Sequence, residues 1–456
     1  MFVGRFAPSP TGLLHAGNAR TALLAACEVL RHKGSLLLRI DDTDVSRSDG
    51  NLEILLRQDL SWLGLTFDRE VRQSERSAVY CAAVEQLKQR GRLYPCYESA
   101  EELEERRQRQ RAKGHPSRYD RAARTLSLAQ RTVLEKEGRK PHWRFLLRDE
   151  VVSWEDQVKG LSSYDVSSLS DPVVVRTDGS YAFLLTGAID DGAMNVTQVL
   201  RGEDHMANTA VQLQMIEAWS GRECVPAYGH ISLVRRGTGE VFSKRHGAQG
   251  SLSLLREQGF SPAVVRSWLL SVGLSQELPV FDSLEELALH ISLSNYGAKQ
   301  PQVCFDRLSS RQACWFAQKS WEEIGRWLNE RGLVSATEDF WLCVRENVMF
   351  WEDLLAWYDI CFGAIKKVGV AGDLGFWHAA LKTLPSAPWT KGTWKQWTHQ
   401  ITEATQKKGK QLFQPLRQAL TGKSAGPAMC DLLPLMEREV VVDRLMNMWE
   451  EDKACN

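Results

Sequence analysis

The chain has 456 residues, 43% apolar and 25% charged, too long for one ordinary core, so two to four domains are expected. Its 57 Lys/Arg balance 57 Asp/Glu, which excludes a global electrostatic pull toward nucleic acid. No apolar run is long enough to span a bilayer, no export signal is evident, and ten scattered cysteines without a Cys-x-x-Cys pair point to free thiols in a reducing cytoplasm.

Met1–Pro8 reads as a short β-like segment, with Phe2, Val3 and Phe6. Residues 8–18, Pro-Ser-Pro-Thr-Gly-Leu-Leu-His-Ala-Gly-Asn, form a loop entering a helix, and Gly17–Arg31 has the apolar spacing of that helix through Leu23, Leu24, Ala26, Cys27 and Leu30. Gly34-Ser35 ends it, and Leu36–Ile40 reads as a buried strand. Strand, helix and strand with a right-handed crossover predict the start of a doubly wound parallel sheet. Ligands in such sheets sit beyond the carboxyl ends of the strands, where Pro8–Asn18 and Asp41–Asp44 fall.

Residues 96–180 interrupt this pattern with a basic helical run and short β-like pieces at Trp143–Leu147, Val151–Trp154 and Val173–Arg176, as expected of an inserted α+β module. Residues 106–148 carry fourteen Lys/Arg against three Asp/Glu, a stripe able to neutralise phosphates or to serve as a solvated helix face; composition does not choose. The doubly wound pattern returns with Tyr181–Ile189 and Thr197–Leu200, followed by a helix at Asn208–Ser220. Helical patterns dominate from Leu252 onward. Beyond residue 310 the chain reads as all-helical and holds eleven of the sixteen tryptophans, most of them expected in the core.

Certain residues carry chemistry. His15 with Gly17 and Asn18 can offer an imidazole N–H, backbone N–H groups and a helix dipole to ATP phosphates, although a lone histidine there is more often a cap. Phe242-Ser243-Lys244-Arg245-His246-Gly247 is a second cationic loop, in which Lys244 could offset phosphate charge; alone it reads equally as an exposed basic turn. Arg5 and Arg201 supply planar forks suited to a carboxylate, and Asp41 is an anion able to hold an ammonium. At least one of Asp41, Asp42 and Asp44 is expected to serve a cap or turn.

In combination, Arg5-Phe6-Ala7-Pro8-Ser9-Pro10-Thr11-Gly12-Leu13-Leu14-His15-Ala16-Gly17-Asn18 and Ser243-Lys244-Arg245 resemble the HIGH-type and KMSKS-type signatures of class I aminoacyl-tRNA synthetases, and the flanking residues resemble the glutamyl members. Arg39-Ile40-Asp41-Asp42-Thr43-Asp44, Asp190-Asp191-Gly192-Ala193-Met194 and Val199-Leu200-Arg201-Gly202-Glu203-Asp204-His205 extend the likeness. So do Lys407-Lys408-Gly409-Lys410 through Gly422 and Gly426-Pro427 with Leu432–Leu435, which resemble the helical anticodon-binding domain of bacterial members.

The resemblance implies an α/β architecture: a Rossmann-type doubly wound catalytic domain (1–95 and 181–240), an inserted acceptor-end-binding module (96–180), a helical stem-contact region with the KMSKS-type loop (241–310) and an all-helical anticodon-binding domain (311–456). It implies catalysis by His15 and Lys244; ATP binding by Ser9, Gly17, Asn18, Asp204, Val234, Ser243, Lys244 and Arg245; and glutamate binding by Arg5, Ala7, Ser9, Asp41, Phe183, Gly187 and Arg201. Lys407, Lys408, Lys410 and Arg417 would meet tRNA. The implied partners are L-glutamate, ATP with Mg²⁺, and a tRNA-Glu or tRNA-Gln isoacceptor, with the protein a cytoplasmic monomer away from membranes.

The chain departs from the family where Val241 replaces the first lysine of the second signature and where Phe183 and Gly187 stand in place of Tyr and Asn. These changes motivate the alternative of a catalytically weak or silent tRNA-binding paralogue. A truncated relative that modifies a tRNA base lacks the helical tail, and the glutaminyl enzyme has a β-barrel-rich one. Some relatives hold zinc in the inserted module; here Cys96 stands where a zinc-binding member has Cys-x-Cys, and Tyr119–Arg124 adds no cysteine or histidine, so no structural zinc is expected.

Overall fold

The protein is described by a computed structural model over residues 1–44, 48–114, 118–236, 251–296, 301–365 and 373–455. It divides into two compact units, Met1–Cys304 and Phe305–Asn456.

Unit 1 is organised by strands β1 (Val3–Phe6), β2 (Ser35–Ile40), β3 (Arg69–Arg72), β4 (Leu93–Cys96), β5 (His142–Phe145), β6 (Val151–Asp156), β7 (Gly160–Asp165), β8 (Val173–Val175), β9 (Gln198–Gly202) and β10 (Ala227–Ile231). The main sheet runs β3-β2-β1-β9-β10-β6-β7, and all but the β6–β7 hairpin pairing is parallel. Leu36, Leu37 and Leu38 show why: an uninterrupted apolar run suits a strand covered on both faces. Chain order reverses between β1 and β9, which sets the switch point where ligands bind in such sheets.

The helix Ala16–Arg31 covers one face of this sheet with Ala19, Leu23, Ala26 and Cys27. Its return into β2 needs Gly34, because a Cβ there would lie 2.4 Å from the Phe2 carbonyl oxygen. The other face is packed by Leu185, Ala188, Ile189, Ala210, Met215 and Ile216.

Two expectations change. Tyr181–Ile189 is not a strand: Phe183–Ala193 is a helix, buried from Leu185 through Gly192, and an apolar run covered on all sides carries no periodicity to separate the two states. The module expected at 96–180 is not one body. β4, β5 and β8 form a separate antiparallel sheet, whereas β6 and β7 extend the main sheet, with Tyr228 opposite Asp156. The helix Ala100–Ala112 buries no side chain and is held at its start by a Ser99–Glu102 capping box. Much of the basic stripe is compensated locally: Arg106 pairs with Asp120, Arg107 with Glu104, Arg118 and Arg121 with Asp149, Arg139 with Glu102 and Arg148 with Glu150.

Unit 2 begins at Phe305 rather than at 311 and is built from helices around Phe316, Phe340, Trp341, Trp357, Phe376, Trp377 and Trp397. Trp377 and Trp397 are fully buried, and the Trp397 indole donates to the Ala380 carbonyl at 3.0 Å, so these rings are core.

Candidate active site

At the switch point the ends of β1, β2 and β9 bring together Arg5, Asp41 and Arg201 with residues of the two helices packed behind them. Arg39 donates to both oxygens of Asp41 at 2.7 and 3.2 Å and to Asp191 at 2.7 Å; Asp191 also accepts from Arg5 Nε at 3.2 Å. The neighbouring Asp190 accepts from Gln73, Arg76 and Tyr80 at 2.7–2.9 Å. Burial opposes the Arg39 charge, but the carboxylates of Asp41, Asp191 and Asp190 outweigh it and hold the guanidinium above its ordinary range. Burial likewise works against Asp191, yet Arg5 and Arg39 keep its carboxyl below the usual value.

Asp41 thus has a partner within the protein as well as the ligand role expected of it. Only 5% exposed, it gives both oxygens to Arg39, which stands two residues before it in β2. Asp42 serves a turn, accepting from the Ser74 N–H at 2.8 Å and hydroxyl at 2.7 Å.

Arg201 stands in contrast to Arg5 and Arg39. It donates to Gln212 Oε1 at 2.7 Å, Thr209 Oγ1 at 2.5 Å and His230 Nε2 at 3.4 Å, and its guanidinium carbon lies 5.2 Å from the centre of the Tyr228 ring. Among the described residues it forms no ion pair. Burial pulls its pKa down to about 10, the mark of a cation short of countercharge. Three of its five N–H groups serve these neutral acceptors, leaving two for a ligand.

Phe183 and Gly187 lie on the helix facing Arg201. Phe183 is partly exposed with its ring 6.1 Å from His205, and burial lowers the His205 pKa. At Gly187 a Cβ would sit 3.0 Å from Gln212 Nε2. The Gln212 amide thus occupies the space that a side chain at 187 would need, so an amide group is still supplied here, from the neighbouring helix.

His15 caps the helix Ala16–Arg31, its Nδ1 accepting from the Asn18 N–H at 3.4 Å. In the neutral ring this leaves the proton on Nε2, the donor that a phosphate oxygen requires. Gly17 packs against the ring, a Cβ there falling 3.2 Å from it. Ala7 and Ser9 follow β1, Pro8 accepts from the Asp41 N–H at 2.9 Å, Asp204 is exposed beyond β9, and Val234 is buried beyond β10. Val241, Ser243, Lys244 and Arg245 lie outside the described residues. The segment that carries them resumes at Ser251, which bridges to His15, while Leu252 N–H donates to Leu14 at 2.9 Å.

Residues 1–300 match the catalytic domain of class I tRNA synthetases (E and Q), and residues 367–448 match an anticodon-binding domain. The chain belongs to the class I glutamyl/glutaminyl-tRNA synthetase family. Similar synthetases include glutamate–tRNA ligase 2 of Methylorubrum populi, 45% identical over 97% of both chains, and glutamate–tRNA ligase 2 of Beijerinckia indica, 42% identical over 97% of this chain and 98% of the relative. A glutamate tRNA ligase crystal structure from Elizabethkingia meningosepticum shares the fold, with a TM-score of 0.79 at 24% identity over 98% of this chain and 99% of that one. Family membership makes this synthetase an ATP-using enzyme.

In the synthetase's β4–β5–β8 sheet, Cys96, Glu98 and His142 place a thiol, a carboxylate and an imidazole within 4.8 Å of one another. His142 comes from a strand that a local reading of Cys96–Ser99 does not reach. Burial pushes the Cys96 thiol up to about 11, and burial together with the Arg144 cation lowers His142. Three donors beside a guanidinium fit a closed four-ligand zinc site poorly.

In unit 2, Lys407 binds Asp373 at 2.6 Å, and Arg417 donates to the Pro427 carbonyl at 2.9 Å with burial lowering its pKa, so both have internal partners. Lys408 and Lys410 are exposed.

Sequence reasoning assigned no role to Arg39, Asp191, Thr209, Gln212, His230 or Asp156. The Asp190-Asp191 doublet was visible as part of the family likeness, and two buried acids adjacent to each other inside an apolar run are a signal for cationic partners elsewhere.

Proposed function

We propose that this synthetase attaches L-glutamate to the 3′ end of tRNA through a glutamyl-adenylate. One observation carries the reading: Arg201, buried at the switch point and bonded to no carboxylate among the described residues, offers two N–H groups and its charge to a carboxylate. Arg5, already partnered by Asp191, stands beside it. The curated relatives named above carry the name glutamate–tRNA ligase and align over nearly the full length of the chain, which favours glutamate over other carboxylates.

In the first step a glutamate carboxylate oxygen attacks the ATP α-phosphorus and the bond to the bridging oxygen breaks, releasing pyrophosphate. In the second, a terminal ribose hydroxyl of tRNA attacks the adenylate carbonyl and AMP leaves. His15, through its Nε2–H, and the start of its helix bind phosphate; Ser9, Gly17, Asn18, Asp204 and Val234 line the nucleotide's place. Lys244, with Ser243 and Arg245, offsets charge on the departing pyrophosphate. Mg²⁺ arrives with ATP and supplies countercharge to its phosphates. Ala7, Phe183 and Gly187 shape the amino-acid pocket, and Asp41 contributes to it through Arg39. Lys408 and Lys410 are the cations of the anticodon-binding domain best exposed to RNA phosphates. The enzyme acts as a monomer, in the cytoplasm, without structural zinc.

The test is AMP formation from ATP and glutamate with purified tRNA-Glu and tRNA-Gln in parallel. Turnover with either tRNA supports the reading and assigns the isoacceptor; tRNA binding without turnover would mean a silent paralogue.

A further inference from the structure

Behind Arg201 lies a buried carboxylate–imidazole pair that the reaction itself does not use. We propose that Asp156 and His230 are positioning residues, which fix the plane of the Arg201 guanidinium before glutamate arrives; this rests on the assignment of Arg201 to the substrate carboxylate.

The pair is built by the sheet. In the parallel register of β9 and β10, His230 stands directly opposite Arg201, and β6 ends at Asp156 beside them. His230 is fully buried, and its Nδ1 lies 2.5 Å from Asp156 Oδ2. Asp156 also accepts from the backbone N–H groups of His230, Val158 and Lys159, each at 3.0 Å, and from the Trp154 indole at 3.2 Å. Burial works against this carboxylate, but the His230 ring and these backbone donors hold its pKa well below the usual range. An ionised acceptor at Nδ1 keeps the ring proton there and leaves a lone pair on Nε2.

Two donors use that lone pair: the Thr209 hydroxyl at 2.7 Å and Arg201 Nε at 3.4 Å. Thr209 Oγ1 in turn accepts from a terminal nitrogen of Arg201 at 2.5 Å, and Gln212 takes the other at 2.7 Å. The Tyr228 ring covers one face, its centre 5.2 Å from the guanidinium carbon and its plane nearly parallel to that of the His230 ring. The guanidinium is thus anchored at Nε and at both terminal nitrogens. A flipped imidazole, or one with its proton on Nε2, would set donor against donor and release the plane. A preset fork meets a carboxylate without the entropy loss of ordering a four-bond side chain.

The test compares two histidine replacements that break different bonds. His230→Asn can still donate toward Asp156 but withdraws the acceptor from Arg201; His230→Gln can place a carbonyl near the position of Nε2 but loses the donor to Asp156. The expected result is a rise in glutamate KM of about tenfold or more for His230→Asn and a smaller one for His230→Gln, with kcat and the KM for ATP and tRNA within about twofold. In an Arg201→Lys background, His230→Asn should add less than about twofold, because the group it positions is gone. If both replacements fail to fold, Thr209→Val removes the bridging hydroxyl at constant shape and should raise glutamate KM, with Thr209→Ser restoring it. Equal rises for all substrates, additive effects, or no rise would overturn the inference. If Arg201→Lys itself leaves glutamate KM unchanged, the pocket assignment fails instead.

Discussion

Asp191 offers a quantitative test of the switch-point cluster. It is 1% exposed and holds both Arg5 and Arg39, so Asp191→Asn keeps the shape but replaces an anion between two buried cations with a neutral amide. Both guanidiniums bond the same oxygen, Oδ1, which the amide can keep as an acceptor, so the change removes chiefly the charge. Breaking a buried ion pair on one side costs about 3–5 kcal/mol. Unit 1 has 304 residues, and an unfolding entropy of about 2.1 cal/mol/K per residue gives roughly 0.64 kcal/mol/K, so the melting point of this unit should fall by about 5–8 °C. Scanning calorimetry of the full chain, with the unit 1 transition marked by its shift on adding ATP and glutamate, measures this. A fall below about 1 °C would show that the guanidiniums are satisfied without Asp191 and that the cluster is not a mutually compensated network.

His15→Ala and Lys244→Ala should each lower the charging rate with little change in tRNA affinity; lost affinity at unchanged rate would refute their roles. Arg201→Lys, which exchanges a fork for a point charge, should raise glutamate KM about 30-fold, corresponding to about 2 kcal/mol, in steady-state charging assays. Asp156 and Asp191 are both held below the ordinary carboxyl range, so their stabilisation is fully present above the unfolded value near 3.9 and is lost as the pH falls below it; urea midpoints should be flat from about pH 7 to 5 and drop below about pH 4, and Asp191→Asn should flatten the drop. Gly187→Ala should crowd Gln212 away from Arg201 and raise glutamate KM by about threefold, an increment that should vanish in a Gln212→Ala background; a silent Gly187→Ala would show that the two positions do not compete.

The parts of the fold legible in sequence were those whose apolar pattern is local. Val3–Phe6, Ala16–Arg31 and Ser35–Ile40 follow the expected strand, helix and strand closely, because a helix with one covered face and a short strand between turn residues have distinct periods. The helix Phe183–Ala193 failed because burial on all sides erases period. The β6–β7 hairpin was assigned to the wrong body for another reason: alternation announces a strand but says nothing about which edge receives it.

The candidate site divides along the same line. Arg5, His15, Asp41 and Arg201 could be read as candidates because each sits at a strand or helix end within a short recognisable string. Their partners were not, because each contact spans a long stretch of chain: Arg5 to Asp191 crosses 186 residues and Arg39 to Asp191 crosses 152. This blind spot also hid the partner of Asp41. As an isolated acid after a strand it reads as a ligand for an ammonium, whereas the arginine two residues before it takes both its oxygens. Arg201 shows the converse: its chemical type was plain, but what supports the proposal that it takes the substrate carboxylate is that its partners Gln212, Thr209 and His230 include no carboxylate. That property belongs to the register of β9 against β10 and to the packing of Met206–Trp219, and it separates an arginine tied to a carboxylate of the protein from one whose partners carry none.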